Sequence, residues 1–482
     1  MKPSRPPSAH GGSLLVQALA WVILILSAGP VSATEEPTGR PSSGCLRCHE
    51  GIEDIAPAKS PMMIQIRMLG QRRGDPAGCV VCHGGNPAAR DADRAHRGAP
   101  KVAKHCHCPT PEDFYPDPGA LEVAEHTCGQ CHRGYPERVR RSLMATEAGK
   151  IRATLTAWHV TPATRGAPWG NVAVEDDDGP EPSVGTDIYK AYMKAVRAAH
   201  ADQFPARLAP LPDPDRETLR TDPALAPVAR YRRACDGCHL RAGGRAMPGE
   251  YRGLGCSACH IPYAEDGRYA GTDPTIDREA PGHLLTHRIQ GTRKTHIHYG
   301  DTDRTGISNR TCNQCHNRGA SGGARRGPGI AGDVHHSGRN TPPAVLLCQD
   351  CHTSNEVHGD GNIAATMDAQ TEVRCADCHG TDAAYPWELP LGWGDPLRPE
   401  WSDAPRGVSL HLQKVTSWWA TRYPKADGFL LTSRGNPLGN VIRQGARVIL
   451  HSATGRDLEV PLFKKAGGTQ PGDAAADAPT GG

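Results

Sequence analysis

Cysteine and histidine follow one spacing throughout this sequence. The pattern Cys-x-x-Cys-His occurs eight times and takes up 16 of the 18 cysteines, whereas the frequencies of the two residues alone predict about 0.03 matches. The cysteine pairs are Cys45 and Cys48, Cys79 and Cys82, Cys128 and Cys131, Cys235 and Cys238, Cys256 and Cys259, Cys312 and Cys315, Cys348 and Cys351, and Cys375 and Cys378. The histidines that follow them are His49, His83, His132, His239, His260, His316, His352 and His379.

This spacing suits covalent attachment of haem. Two thiols three residues apart can form thioethers with the two vinyl groups on one edge of the macrocycle, and the next histidine then ligates the iron. Zinc ribbons and disulfide scaffolds also use paired cysteines, but neither requires a histidine after every pair. A thioredoxin-like motif is a single site. The sequence therefore predicts eight covalent c-type haems, with the eight histidines as proximal iron ligands.

Further histidines are candidates for the opposite, distal face of each iron. Methionine is a scarcer alternative, with eight in the chain. His126 precedes Cys128 by two residues, so we expect it to reach a neighbouring haem; His335 and His358 flank the seventh motif. The distal candidates are His96, His126, His159, His200, His283, His287, His298, His335, His336 and His358.

The two remaining cysteines form the triplet Cys106-His107-Cys108. A disulfide between residues two apart would be strained, so free thiols or pairing elsewhere is the default expectation. A single-thioether haem motif ending at His107 and a small metal site are the alternatives.

The N-terminus has the pattern of a secretory signal peptide. Lys2 and Arg5 precede an apolar run from Leu14 to Leu26, and Val31-Ser32-Ala33 is a small-x-small cleavage signal. The run is short for a membrane span, although an uncleaved anchor is the alternative. We therefore expect residues 1–33 to be removed and the protein to be exported, to the periplasm or to an extracellular or outer-membrane-associated location, with no stable membrane span after cleavage.

Composition excludes several classes of protein. The chain has 55 Gly and 43 Pro but no Gly-X-Y period, so it is not collagen, and its mean hydropathy of −0.53 excludes a polytopic membrane protein. The formal net charge is +3, and removal of Lys2 and Arg5 lowers it to +1. Haem propionates would make the loaded protein acidic, so the basic residues do not indicate a nucleic-acid partner.

Motif spacing predicts the domain organisation. After the signal peptide come a three-haem segment (34–135), a haem-free, mostly helical insertion (136–232) and a five-haem segment (233–382). A small β-rich module (383–465) and a disordered tail (466–482) complete the chain. With only four Phe, the chain has few large side chains with which to build a core, so we expect the eight haems to supply much of the buried surface. The expected fold is that of a multihaem cytochrome c. Short α-helices and coil wrap around a chain of haems, next to a small C-terminal antiparallel β module.

Two helical patterns stand out in the insertion. Arg138–Trp158 places apolar residues on one face and Arg138, Arg141, Lys150 and Arg152 on another, which predicts a packed helix with solvated charges. A second helix is predicted over Asp187–Ala201.

Three short stretches carry a family resemblance. They are Cys348–Gly361 (CQDCHTSNEVHGDG), Gly255–His260 (GCSACH) and Arg310–Arg318 (RTCNQCHNR). Together with the motif spacing over about residues 40–135 and 230–380, they resemble bacterial multihaem, including octahaem, c-type cytochromes. The resemblance implies haems with two histidine ligands, stacked into a chain that serves anaerobic respiration or electron export. Implied partners are other redox proteins, such as cytochromes and quinol-linked or outer-membrane complexes.

Three functional classes remain open. The first is an electron carrier with every iron six-coordinate. The second is an octahaem redox enzyme resembling hydroxylamine oxidoreductases or nitrite and tetrathionate reductases, with one open iron position. The Lys that often marks this position in the reductases is absent, but hydroxylamine-type enzymes keep the histidine throughout. The third is a haem protein that polymerises into a filament.

Overall fold

The computed structural model describes residues 44–98, 113–160, 168–244, 251–261, 263, 267–269, 271–276, 278–279, 296–299, 302–316, 335, 346–411 and 417–464. All of these fall within the unit Ser43–Gly482. Several sequence predictions concern residues outside these ranges: the signal peptide, the cysteine triplet, the disordered tail, and the candidates His283, His287 and His336.

Helices in the described residues are short, as expected of a chain rich in Gly and Pro. In chain order they are α1 (Pro61–Arg72), α2 (Cys79–His83), α3 (Ala92–Ala95), α4 (Tyr135–Arg141), α5 (Leu143–Thr146), α6 (Ala148–Ala157), α7 (Asp187–Ala199), α8 (Arg216–Thr221), α9 (Ala226–Ala234), α10 (Ser257–His260), α11 (Asn309–His316), α12 (Cys348–Cys351), α13 (Ser354–His358), α14 (Met367–Gln370), α15 (Cys375–His379) and α16 (Ser417–Arg422). In the described part of the chain, no helix is long and apolar enough to cross a membrane.

The strands in the described residues form three small sheets. In chain order they are β1 (Trp169–Gly170), β2 (Val174–Glu175), β3 (Arg207–Pro210), β4 (His296–Tyr299), β5 (Thr302–Thr305), β6 (Val408–Ser409), β7 (Gly428–Leu431), β8 (Pro437–Gln444), β9 (Arg447–His451) and β10 (Asp457–Glu459). The insertion contains a three-stranded sheet in the order β1-β3-β2, β4 and β5 form a hairpin, and the C-terminal sheet has the order β10-β9-β8-β7-β6.

The C-terminal sheet confirms the predicted small antiparallel β module. Its four strand pairs are all antiparallel. One face buries Leu430, Leu438, Val441, Val448 and Leu450 together with Trp387 and Val460, and the other buries Phe429, Ile442 and Ile449. The alternation of inward residues along β8 and β9 gives this module an apolar interior on both faces.

The first helical pattern in the insertion is broken where one continuous helix was predicted. Ser142 separates α4 from α5 with an extended backbone, and Glu147, at φ 54°, separates α5 from α6. A continuous helix cannot pass through a left-handed residue, so the chain changes direction at both positions. The pieces pack separately, with Ile151 and Leu155 of α6 against Trp169 and Tyr231.

The expectation of solvated charges on this segment is wrong for two arginines. Arg138 and Arg141 are buried. Arg141 Nη1 bonds Asp178 Oδ1 at 2.5 Å, and its Nη2 bonds Asp177. Because the acidic loop folds back onto the helix, the Arg141 guanidinium is buried and ion-paired, while the carboxylates of Asp177 and Asp178 remain exposed.

Helix α7 forms where the second pattern predicted one and joins the insertion to later parts of the chain. The Thr186 side chain caps its first turn by accepting from Tyr189 N at 3.1 Å. Its buried face, which includes Tyr192, Met193 and Val196, packs with Ala364, Ala369 and Leu397. The insertion is therefore packed against the connections on both sides of the eighth motif.

Candidate haem sites

All eight Cys-x-x-Cys-His motifs lie in described residues, and each adopts a tight turn. In four of them the histidine amide donates to the carbonyl of the first cysteine at 2.9–3.1 Å: His49, His132, His260 and His352. One helical turn puts residues three apart on the same side. Both thiols of a motif can therefore reach one edge of a macrocycle while the histidine lies beneath it.

The motif thiols form no disulfides, and their grouping does not fit zinc. All 16 are unbridged. Two groups of three possible metal ligands occur in the described part of the chain, Cys45 with Asp75 and Cys79, and Glu147 with Asp236 and His239. Neither is the set of four cysteine and histidine ligands that a structural zinc ion requires.

Four motif histidines direct Nδ1 to an oxygen. His83 Nδ1 lies 2.9 Å from Tyr115 O, and His379 Nδ1 lies 2.7 Å from Pro461 O. A bond of this kind selects the tautomer that leaves Nε2 free with its lone pair, which is the form that ligates iron.

In the other two, the oxygen belongs to a carboxylate. His49 Nδ1 lies 2.7 Å from Asp273 Oδ2, and His352 Nδ1 lies 3.0 Å from Glu356 Oε2. Burial opposes ionisation of Glu356, but hydrogen bonds from His352 and from two backbone amides hold the pKa of this carboxyl below its usual value. Sequence analysis missed both acids. Glu356 could have been found because it lies four residues after His352, whereas Asp273 lies 224 residues from His49.

His239 of the fourth motif has different surroundings. Its Nε2 lies 2.9 Å from Asp236 Oδ1, and its Nδ1 accepts from Arg241 N at 3.2 Å. Glu147 joins this cluster, and burial raises the pKa of its carboxyl. A proximal role for His239 requires its ring to exchange the Asp236 contact for iron.

Three of the candidate distal histidines face a motif histidine. The ring centroids are 6.0 Å apart for His96 and His49, 6.2 Å for His358 and His260, and 5.8 Å for His335 and His379. An iron held between two imidazoles lies roughly 3 Å from each centroid, so the centroids are then roughly 6 Å apart. These three pairs leave the space that one iron needs.

Burial favours the neutral, metal-binding form of three of these histidines. It lowers the pKa of His96, of His260 and of His358 below the ordinary value, with a smaller contribution in each case from a nearby histidine. The His358 ring is further oriented by Ser354 O, 2.9 Å from Nδ1. A neutral imidazole with a fixed ring is what an axial ligand requires.

Four other distal candidates lie elsewhere in the described part of the chain. His126 and His159 are exposed, and His200 is half-buried at the C-terminal end of α7. His298 lies on β4. These four contrast with His358, which flanks the seventh motif in sequence but faces the histidine of the fifth.

Contacts between motifs reveal an order. Thiol hydrogen bonds join Cys45 to Cys79, Cys128 to Cys256, Cys312 to Cys348, and Cys238 to Cys315. Electrostatic contacts join Cys82 to Cys128, Cys259 to Cys312, and Cys351 to Cys378. Numbered along the chain, the motifs thus neighbour one another as 1-2-3-5-6-7-8, with motif 4 beside motif 6.

A cavity of about 680 Å³ lies at the eighth motif. Cys375, Trp393 and Phe463 are among the residues that line it. The Phe463 ring stacks on His379 with the centroids 5.5 Å apart. An apolar space of this size beside a motif thiol and an axial histidine fits a haem.

Comparison with known proteins gives one match. Residues 231–388, about a third of the chain, match the family model described as outer membrane cytochrome MtrC/MtrF-like, domains II/IV. No match was found among curated proteins or among solved structures. The matched region contains the fourth to eighth motifs and implies covalently bound c-type haem. Over these residues the chain is similar to a multihaem c-type cytochrome family, and the match does not single out a particular member.

Proposed function

We propose that this protein is an exported electron carrier with eight covalent c-type haems, most or all held between two histidines. Its location would be periplasmic, extracellular or associated with the outer membrane, as the name of the matched family model suggests. Its partners would be other cytochromes or outer-membrane redox complexes. The observation that carries the proposal is the set of three histidine pairs with centroids 5.8–6.2 Å apart.

The chain's own residues would hold the haems as follows. Each motif supplies two thioethers and a proximal histidine. The distal ligands are His96 for motif 1, His358 for motif 5 and His335 for motif 8, while the other five motifs draw on the remaining candidates. When bound, haem supplies a one-electron iron couple. Two histidine ligands leave no iron position for substrate and keep the potential below that of a histidine–methionine haem.

The order of motif contacts supports a continuous row. Thiols of adjacent motifs interact at four points, so the haem edges attached to them would be near one another. Motifs 1 and 8 form the two ends, and motif 4 forms a side branch at motif 6. Because motifs 1 and 8 are at opposite ends of this row, a carrier built in this way can accept an electron at one end and deliver it at the other.

A redox enzyme is the second candidate, favoured by the cluster around His239. Tyr231 Oη donates to Glu147 Oε2 at 3.3 Å, and Lys150 Nζ donates to Cys235 O at 2.7 Å and also to Glu147. Groups that can hold protons would thus lie beside motif 4, where an open iron would use them.

Replacing His358 with alanine tests the carrier proposal. Low-temperature EPR of the ferric protein should show wild type entirely low-spin and His358→Ala with one high-spin haem in eight. His411→Ala is the matched control, since His411 is exposed and is not among the distal candidates, and it should leave the spectrum unchanged. Intact mass should give eight haems in each protein. One stoichiometric high-spin haem in the wild type, with turnover of hydroxylamine or nitrite, would instead establish the enzyme.

A further inference from the structure

Two proximal histidines differ from His83 and His379 in the charge of their Nδ1 partner. His49 and His352 each bond a carboxylate, Asp273 and Glu356, at 2.7 and 3.0 Å. Both acids are buried. Burial of the two acids limits the screening of their charge by water, although the His49 and His352 side chains are themselves 24% and 60% exposed.

Their neighbours in the motif order have an uncharged partner instead. Motif 2 follows motif 1, and its His83 bonds Tyr115 O; motif 8 follows motif 7, and its His379 bonds Pro461 O. Each carboxylate site thus adjoins a carbonyl site, and in both cases the carboxylate site comes first along the chain.

Both carboxylates are fixed by further donors. Glu356 Oε1 accepts from Val373 N at 2.9 Å and also from Glu372 N. Asp273 Oδ1 accepts from Thr275 N at 2.9 Å and from Thr275 Oγ1 at 2.7 Å. Glu356 cannot turn away from its histidine without leaving the buried Glu372 N–H unpaired, which is costly. Asp273 is held in place by the two bonds from Thr275.

We propose that Asp273 and Glu356 are positioning residues that lower the reduction potentials of the haems at motifs 1 and 7 relative to those at motifs 2 and 8. This inference rests on the proposed function. A carboxylate that accepts from Nδ1 makes Nε2 a stronger electron donor, and a stronger donor favours the ferric iron. Electron transfer is then favourable from the haem at motif 1 to the haem at motif 2, and from the haem at motif 7 to the haem at motif 8. Both steps run in the direction from motif 1 towards motif 8.

The test replaces each acid by its amide. Glu356→Gln keeps the shape and a neutral acceptor oxygen, which reproduces the carbonyl partner of motif 8. In an EPR-monitored redox titration, the reduction potential of one of the eight haems should rise by about 59 mV. This shift corresponds to an increase of about tenfold in the one-electron equilibrium constant for reduction. Asp273→Asn should raise the reduction potential of a different haem, the one at motif 1. This variant tests the proposal independently if Glu356→Gln does not fold.

A matched control distinguishes the effect of the carboxylate–histidine hydrogen bond on the potential from the effect of a nearby negative charge alone. Asp350 is a buried carboxylate within motif 7 that accepts from Ser452 Oγ and Ala453 N, both at 2.7 Å. Asp350→Asn removes a charge near the same haem, and we expect a clearly smaller shift. Equal shifts for Glu356→Gln and Asp350→Asn would overturn the proposal.

Haem content distinguishes failure of this inference from failure of the proposed function. If every variant has eight low-spin haems and unchanged potentials, Asp273 and Glu356 have no such role, and the carrier proposal stands. If intact mass of the wild type shows fewer than eight haems, the proposed function itself fails.

Discussion

The C-terminal sheet and the motif segments bury their interiors by different means. Strands β7, β8 and β9 enclose apolar side chains on both faces, among them Phe429, Val441 and Ile442. The motif helices are four to eight residues long, and α10 and α12 bury only Ser257, Ala258 and Asp350. The C-terminal sheet has an apolar core of its own, whereas the motif segments need the bound haems to supply most of their apolar interior.

Removing the haems should have the largest effect on this contrast. With all 16 motif cysteines replaced by alanine, we expect the motif segments to lose cooperative unfolding while β7–β9 keep slow amide exchange, because only the sheet has an apolar interior of its own. Hydrogen exchange measured by mass spectrometry checks both regions at once. Cys106→Ala, outside the motifs, is the control and should change neither. Cooperative unfolding of the haem-free motif segments near the holoprotein's temperature would contradict the comparison.

A buried ion pair at the boundary should have the next largest effect. Arg434 donates to Asp395 Oδ2 at 2.8 Å and to Ala369 O at 2.7 Å, and so ties the sheet to the segment before motif 8. Both partners are fully buried. Asp395→Ala leaves the guanidinium unpaired and should cost about 3–5 kcal/mol in the free energy of unfolding by urea.

The exposed pair of Arg447 and Glu459 on the same sheet provides the control for that measurement. Their side chains are 56% and 54% exposed, so Glu459→Ala should cost no more than about 1 kcal/mol. Similar losses for the two variants would mean that the boundary pair is not holding the two regions together.

The smallest effect should appear in the pH dependence of stability. Burial raises the pKa of Glu372 to about 7, against smaller opposing effects from Asn436 and Arg434. The folded state therefore holds this proton more tightly than the unfolded state. Its contribution to stability is complete below the ordinary glutamate pKa and is lost as the pH rises to about 7. Urea unfolding between pH 4.5 and 8 should show a steeper decline for wild type than for Glu372→Gln. Parallel curves would show that Glu372 does not titrate in this way.

The sequence by itself determined the chemistry that is local in the chain. Thioether attachment depends on cysteines three residues apart and a histidine directly after them, a spacing set by the backbone of one turn, so the motifs could be identified without a fold. Short β-type runs separated by glycine-containing turns likewise predicted the C-terminal sheet, because such turns reverse the chain between neighbouring strands. Local patterns did less well over Arg138–Trp158, since a left-handed Glu147 and the buried Arg141 depend on what packs against them.

Only the tertiary structure decided which distant residues meet. His358 faces His260 and not the motif beside it, Asp273 reaches His49 from 224 residues away, and motif 4 neighbours motif 6. The physical reason is that an axial position or an Nδ1 partner is defined by distance and direction in space. Many histidines and acids in the sequence satisfy the chemistry, but the packing of short, separate segments selects the few that satisfy the geometry.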